Sequence, residues 1–400
     1  MTSMAHVTDD LLLAFNVGSS TLRVAAYSLR APAMPVFRLT IELATRAVRG
    51  SGLIPEALSA FTLEHSLEDM VTFIVGHAAG KGRRVTALVH RIVHGGRHYH
   101  GPQWISDGLL HELERLELMR PLHQPPGVEV VRYLRKLWPT LPQLAVFDTA
   151  FHQRQPALAT TYALPAALRR QGIASYGFHG ISCQHILRVL RAQHAELADG
   201  RVLVAHLGQA ASLTAVHHGD SVACSMGFST LDGLPMGSRC GELDAGVLLY
   251  LMEKGWGKSR LTDLLYHQSG LLGLSGLSAD MRELLASKAE AARFAVDYFC
   301  YRTARAAASL ACAMEGMETL VFTGGVGEHQ PLIREKICQR LRWMGVDIDS
   351  VANQSGQAVI STTASSCRIV VVPTDEEGEM SLQYRNLLLG LSSTAPQLSL

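Results

Sequence analysis

Two stretches of this chain repeat one plan, and that repeat limits the fold more than any other feature. Residues 11–27 read LLLAFNVGSSTLRVAAY, two apolar runs around the polar turn Asn16-Val17-Gly18-Ser19-Ser20-Thr21. The runs are too short for independent helices, and their Val, Phe and Tyr content suits strands, so a hairpin is predicted. Its turn carries a glycine and three hydroxyls, with Arg23 close behind, the donors and cation that a phosphate takes. An ordinary tight hairpin gives the same pattern. Residues 201–219, RVLVAHLGQAASLTAVHHG, again end a strand-like run at a polar residue, His206, followed by Gly208, small residues and a returning run. A further echo links LAVFDTAFH at 144–152 with TLVFTGGVGEH at 319–329, each an apolar strand stopping at a polar or Gly-rich edge. Hairpin, helices, then strand and loop therefore occur twice, which indicates an internal duplication. Two unrelated α/β domains are the alternative.

Helical spacing is predicted over 59–77, 127–137, 184–198 and 282–317. The last is Ala-rich, with Phe294, Val296, Phe299, Ala307 and Leu310 spaced to bury one face against the core or a second subunit. Strands alternating with helices indicate an α/β architecture with mixed sheets. Four hundred residues suit two domains, and 48% hydrophobic against 18% charged residues supplies a large core. Lys+Arg 36 against Asp+Glu 35 leaves no electrostatic case for nucleic acid or an anionic membrane. No apolar run approaches the ~20 residues of a membrane span. The N-terminal MTSMAHVTDD lacks a basic region and reads as a polar lead-in rather than a signal peptide. The seven cysteines contain no C-x-x-C pair, which fits a reducing cytoplasm and indicates neither zinc nor a disulfide scaffold.

Four other segments set Arg, His or carboxylates among glycines: HRIVHGG at 90–96, YGFHGIS at 176–182, SMGFSTLDGLPMGSRCGE at 225–242 and VPTDEE at 372–377. Flexible backbone of this kind is tolerated where a ligand must approach it.

With these strings in view, the chain resembles the acetate kinase family, which includes acetate and propionate kinases. NVGSSTLR, HRIVHGG, FDTAFH, YGFHG, HLGQAAS, SMGFSTLDGLPMGSRCGELD, GLLGLSGLSADMR, VFTGGVGEHQPLIRE and PTDEE stand in family order across nearly the whole length. The resemblance implies a duplicated RNase H-like fold, shared with actin, Hsp70 and sugar kinases, with two domains about a central cleft. It also implies a homodimer and Mg²⁺-dependent phosphoryl transfer from ATP to a short-chain carboxylate. The expected domains are 1–149 completed by 377–400, and 150–376, the latter carrying the nucleotide and the dimer interface. Domain closure would exclude water from the reaction.

The same resemblance assigns roles to residues. Asn16 and Glu376 hold Mg²⁺, for which Mn²⁺ can substitute, and Ser19, Thr21 and Arg23 lie on the phosphate side of the first hairpin. Arg91 and Arg239 grip the carboxylate and the moving phosphoryl group, a task suited to guanidinium forks. His179 donates to the phosphoryl oxygens in the transition state. Asp148 matches the catalytic carboxylate. A short-chain carboxylic acid is already ionised at pH 7, so Asp148 is expected chiefly to organise Mg²⁺, water and Arg91. Val93, Leu122, Phe178 and Thr230 match the acyl pocket, and His123 is a further match. Nucleotide contacts fall at His206, Leu207, Gly208, Gln209 and Ala210, at Asp280, Met281 and Arg282, and at Gly325, Val326, Gly327, Glu328 and His329. Asp280 equally suits the first turn of a helix.

Departures from the family pattern mark where activity is exposed to change. HLGNG becomes His206-Leu207-Gly208-Gln209-Ala210, and if that last position needs positive φ, Ala adds strain of roughly 1 kcal/mol or more. Gln124 replaces an Asn, His329 ends GIGEN, Thr230 replaces a Pro, and Gly378-Glu379-Met380 replaces an apolar run. Val93 is of the acetate type, while one methylene gives only ~1–3 kcal/mol of discrimination, so acetate and propionate both qualify. The expected reaction is acetate + ATP ⇌ acetyl phosphate + ADP by direct in-line attack in the cytoplasm. A propionate kinase and a catalytically weak nucleotide-binding regulator are the alternatives.

Overall fold

The computed structural model describes residues 9–18, 20–31, 34–52, 65–80, 82–117 and 124–391. Three residues singled out from the sequence, Ser19, Leu122 and His123, lie outside the described residues, as does the 59–64 part of the first expected helix.

Both predicted hairpins form. β1 (Asp9–Val17) and β2 (Thr21–Ser28) pair antiparallel with Val17 opposite Leu22, and the Gly18 N–H closes the turn on the Thr21 carbonyl at 2.8 Å. β8 (Arg201–Leu207) and β9 (Ala211–His217) pair in the same way, with Leu207 opposite Ala211 and a Gly208 N–H to Ala210 carbonyl bond of 3.0 Å. Ala210 is not among the described residues with positive φ, so the strain that its replacement of Gly threatened does not arise.

The remaining strands are β3 (Pro35–Glu42), β4 (Val48–Gly52), β5 (Arg83–Ile92), β6 (Gln103–Trp104), β7 (Gln143–Phe147), β10 (Asp220–Cys224), β11 (Thr319–Thr323) and β12 (Arg368–Val371). One sheet runs β4-β3-β2-β1-β5-β7-β6 and the other β10-β9-β8-β11-β12. In both, an antiparallel meander of three strands continues into two parallel strands: β3-β2-β1-β5-β7 corresponds to β10-β9-β8-β11-β12. The duplication inferred from the strings is therefore a duplication of topology.

Contacts divide the chain into two compact units, Met1–Phe151 with Asp375–Leu400, and His152–Thr374. Glu376, which the expected boundaries put in the second domain, lies in the first unit. The chain returns to that unit between Thr374 and Asp375.

In the first unit the helix Leu67–Ala78 starts at a capping box formed by Ser66 and Asp69. It buries Met70, Val71, Ile74 and Val75 in a core shared with Leu11, Leu13 and Phe15 of β1. Each such side chain contributes about 1.5–3 kcal/mol when fully buried. Strand alternation turns Asn16 to the opposite face, the one against which the closing helix Glu376–Leu388 packs. His90 of β5 stacks on Phe15 at 5.6 Å, so its neighbour Arg91 projects on the Asn16 face.

In the second unit the helix Glu290–Ala313 buries the stripe Ala292, Val296, Phe299, Thr303, Ala307 and Leu310, a helical period along one face. Phe294, expected on that face, is 57% exposed. Two expected helices are each broken in two. Residues 282–317 become Met281–Ala286 and Glu290–Ala313 around an extended Ser287, and 184–198 becomes Gly180–Gln193 and Ala195–Asp199 around a non-helical His194. Among the described residues no helix is long and apolar enough to cross a membrane.

Candidate active site

A buried charge cluster occupies the Asn16 face of the first unit. The Asn16 amide nitrogen donates to Glu376 Oε2 and to Glu377 Oε1, both at 2.7 Å, and its oxygen accepts from Arg91 Nη1 at 3.0 Å. Carboxylates only accept and guanidinium only donates, so this network admits one orientation of the amide. Arg91 Nε and Nη2 both bond Asp148 Oδ2, at 2.9 and 2.5 Å. Asp148 follows β7, and its N–H is held by the Ile92 carbonyl at the end of β5, which sets the two side chains side by side. The other oxygen, Asp148 Oδ1, is buried without a hydrogen-bond partner among the described residues.

Burial pushes the Asp148 carboxyl up to about 6; Arg91 opposes the rise and the Glu376 charge adds to it. Burial works against the Arg91 charge too, but Asp148, Glu376 and Glu377 outweigh it and hold the guanidinium protonated. Glu377 is pushed above the ordinary carboxylate range by burial and then by Glu376. Three carboxylates thus face one guanidinium that is 14% exposed, and one carboxylate oxygen lacks a donor among the described residues. Such a donor set fits a divalent cation with hard oxygen ligands. Among the described residues no group of three His, Cys, Asp or Glu could hold a metal ion by itself. A cation completed by substrate oxygens and water is the arrangement that suits Mg²⁺. Thr21 is partly buried and Arg23 exposed on the same hairpin.

The second unit gathers the other expected groups. His179 has a left-handed backbone (φ 58) at the start of the helix Gly180–Gln193. Its Nδ1 shares a 2.8 Å hydrogen bond with Ser212 Oγ, and its ring stacks on His206 at 4.2 Å. His206 Nδ1 is bonded to Ser182 Oγ at 2.9 Å, and Ser182 to Thr374 Oγ1 at 2.8 Å. Arg239 Nη1 donates to the Thr230 carbonyl at 3.2 Å. The Arg239 loop needs glycine at 270, where φ is +61 and a Cβ would lie 2.1 Å from the Met236 carbonyl and 2.6 Å from that of Arg239.

The segments expected to meet nucleotide come together within this unit. A Cβ at Gly208 would stand 3.9 Å from the Gly325 nitrogen, while one at Gly237 would meet Ala279 O and Gln209 Cγ at 3.0 and 3.4 Å. The Gly237 N–H binds the Gln209 carbonyl at 3.1 Å. Gly325, Val326, Gly327, Glu328 and His329 form a short helix, Gly324–His329, rather than a loop. Glu328 Oε1 accepts the Gly324 and Thr374 N–H groups at 2.8 and 3.0 Å, so this carboxylate braces the backbone. His329 is largely exposed. Leu207 and Met281 are buried side chains, leaving only their backbones to face a ligand. Asp280 caps the helix Met281–Ala286 by accepting the Arg282 N–H and pairs with the Arg282 guanidinium, its alternative reading. Of the residues that the resemblance assigns to the acyl group, Val93 is buried in the first unit, and Phe178 and Thr230 are buried in the second.

Glu377, Ser182, Ser212 and Thr374 were not singled out from the sequence. Glu377 was legible as the second acid of PTDEE; the hydroxyls carried no local signal.

Residues 11–381 match the model of the Acetokinase family. An acetate kinase of Methylocella silvestris is 48% identical over 305 residues, 76% of each chain. One from Rhodopseudomonas palustris is 42% identical, covering 92% of this chain and 96% of its own. Among solved structures, Porphyromonas gingivalis acetate kinase superposes with a TM-score of 0.80 at 30% identity, covering 95% of this chain and 100% of its own. A propionate kinase of Francisella tularensis gives 0.84 at 32%, covering 94% and 98%. The repeated sheet is accordingly the duplicated RNase H-like fold, and the chain belongs to the acetokinase family of carboxylate-accepting kinases.

Proposed function

We propose that this protein catalyses acetate + ATP ⇌ acetyl phosphate + ADP, in the cytoplasm and with Mg²⁺. The observation that carries the reading is the pair of Arg91 with the buried Asp148, joined through Asn16 to Glu376 and Glu377. Acetate is ionised at neutral pH and attacks without a strong base. Arg91 holds the attacking carboxylate and Arg239 takes up charge on the transferred group, where guanidinium suits three spread oxygens. Asp148 keeps Arg91 in register. For His179 to donate from Nε2, its Nδ1 accepts from the Ser212 hydroxyl, which sets both tautomer and ring plane. Asn16, Asp148 Oδ1 and Glu376 would hold Mg²⁺, with Mn²⁺ able to replace it; the cation supplies charge neutralisation for the ATP phosphates. The backbones of 206–210, 279–282 and 324–329 are the proposed nucleotide seat.

A hydroxamate assay with acetate, propionate and butyrate tests the reading: acetate turnover that requires ATP and Mg²⁺ is expected. Thr230, buried and standing where the family carries Pro, and the propionate kinase neighbour support propionate as a second acceptor, which the same assay reads. ATP binding with no turnover on any acid would favour a regulator.

We also propose a homodimer. The helix Ala245–Glu253 buries none of its residues and exposes Leu249, Tyr250 and Met252 at 64%, 56% and 58%. Apolar exposure on that scale marks an interaction surface. Light scattering should give twice the chain mass, reduced to the monomer by Leu249→Glu.

A further inference from the structure

The last helix opens with an arrangement that the reaction chemistry leaves unexplained. Asp375 caps it, Oδ1 accepting the Gly378 N–H at 2.9 Å. The same carboxylate is gripped by Arg38 of β3 through two bonds, Nη1 to Oδ1 at 2.8 Å and Nη2 to Oδ2 at 2.5 Å. Arg38 Nη1 also lies 3.8 Å from Glu377 Oε2, and Nη2 donates to the Tyr27 hydroxyl at 3.3 Å. Capping alone does not need this fork, because Asn or Ser caps as well as Asp.

Gly378, one of the residues that depart from the family pattern, belongs to the same arrangement. Glycine disfavours a helix, and no positive φ requires it here. A Cβ at 378 would lie 2.4 Å from Asp375 Oδ2 and 2.7 Å from Cγ. Any side chain there would push the carboxylate from its seat between the helix and Arg38.

The consequence falls on the next two residues. Glu376 and Glu377 follow Asp375 directly, and each accepts from the Asn16 amide at 2.7 Å. Three consecutive acids repel one another at this turn, and the fork and the helix N-terminus offset that repulsion. With side chains 38% and 29% exposed, the Arg38–Asp375 pair is too wet to matter much for stability. Its bidentate geometry matters for direction.

We propose that Arg38, Asp375 and Gly378 are positioning residues that lock the first turn of the last helix and so aim Glu376 and Glu377 at Asn16 for the divalent cation. This rests on the reading of Asn16, Asp148 and Glu376 as the cation site. The test compares the full-length wild type with Arg38→Gln, Asp375→Asn and Gly378→Ala. Mn²⁺ binding in the presence of ATP is followed by electron paramagnetic resonance, and acetyl phosphate formation is measured against Mg²⁺. The Mn²⁺ dissociation constant and the half-saturating Mg²⁺ should each rise about tenfold, the size expected when a group orienting a metal ligand is removed. KM for acetate should stay within about twofold of the wild type, since the fork orients the cation's ligands and not the acyl pocket. Asp375→Asn keeps the cap and loses the fork, Arg38→Lys should fall between, and the Arg38→Gln/Asp375→Asn double variant should be no worse than the worse single. Unchanged Mn²⁺ binding in Arg38→Gln, with only the thermal midpoint lowered, would overturn the positioning role. A wild type that binds Mn²⁺ and ATP yet phosphorylates no carboxylate defeats the acetate reading instead, and the titration still decides the fork. A wild type that binds no Mn²⁺ with ATP overturns both.

Discussion

Asp148→Asn keeps the shape of the side chain and removes its charge. Asp148 is fully buried, and its pKa rises from 3.8 to about 6 with the attraction of Arg91 already included. A rise of about two units, at 1.36 kcal/mol each, means that carrying the charge at pH 7 costs on the order of 3 kcal/mol. The neutral isostere escapes that cost, so the variant should fold with an unchanged or raised denaturation midpoint. Arg91 stays beside Glu376 and Glu377, whose charges favour its protonated form. Turnover has no such compensation. The one oxygen that Asn keeps is drawn to the donor-only Arg91 Nε and Nη2, so the amide nitrogen takes the place of Oδ1. That cation ligand is lost, together with the negative charge facing Arg91. A loss on the order of 10²- to 10³-fold in kcat is expected, the size seen when one preorganised charge-stabilising group is removed. ATP affinity, measured by calorimetry, should change less than about threefold, because the proposed nucleotide contacts lie on other segments. Near-normal hydroxamate production, or a loss of ATP affinity equal to the loss of turnover, would refute the reasoning.

Three further outcomes follow from the geometry. Because folding raises the Asp148 pKa, its contribution to stability is full below about pH 4 and is lost as pH rises through about 6, while activity needs the ionised form. Accordingly kcat/KM should fall below about pH 6, and the wild-type urea midpoint should drop relative to that of Asp148→Asn between about pH 4 and 6 and run parallel to it above. Ser212→Ala removes the partner of His179 Nδ1, so kcat should drop roughly tenfold with KM for ATP unchanged, and an equal loss in both would point to general disruption. Gly270→Ala forces a left-handed alanine against two carbonyl oxygens, which should destabilise the second unit by at least about 2 kcal/mol in denaturant titration; a wild-type midpoint would show that the loop yields freely.

Much of the fold was legible because the signals were local. The alternation of 11–17 and 201–207 places a polar residue, Asn16 or His206, near the end of each central strand, and short polar turns close both hairpins. The helix breaks at His194 and Ser287 were missed because neither residue is a strong breaker, and the Ser287 hydroxyl, which accepts the Ala289 N–H at 3.2 Å, is one serine among many in the chain. The family resemblance assigned Glu328 to the nucleotide. What no local pattern showed is that its carboxylate braces Gly324 and Thr374, the latter 46 positions away.

The chain alone carries the duplication, the strand and helix order and nearly every charged group the reaction requires, since these depend on periodicity and residue type. Only the tertiary structure joins Asn16 to Glu376 across 360 positions and Arg38 to Asp375 across 337. It also decides that Glu377 shares the Asn16 amide, that Asp148 is buried deeply enough to titrate near 6, and that a side chain at 378 would meet the Asp375 carboxylate. Periodicity says which face of a strand a residue takes, but not which distant segment returns to cover that face. Burial, charge and hydrogen bonding at the site all depend on that return.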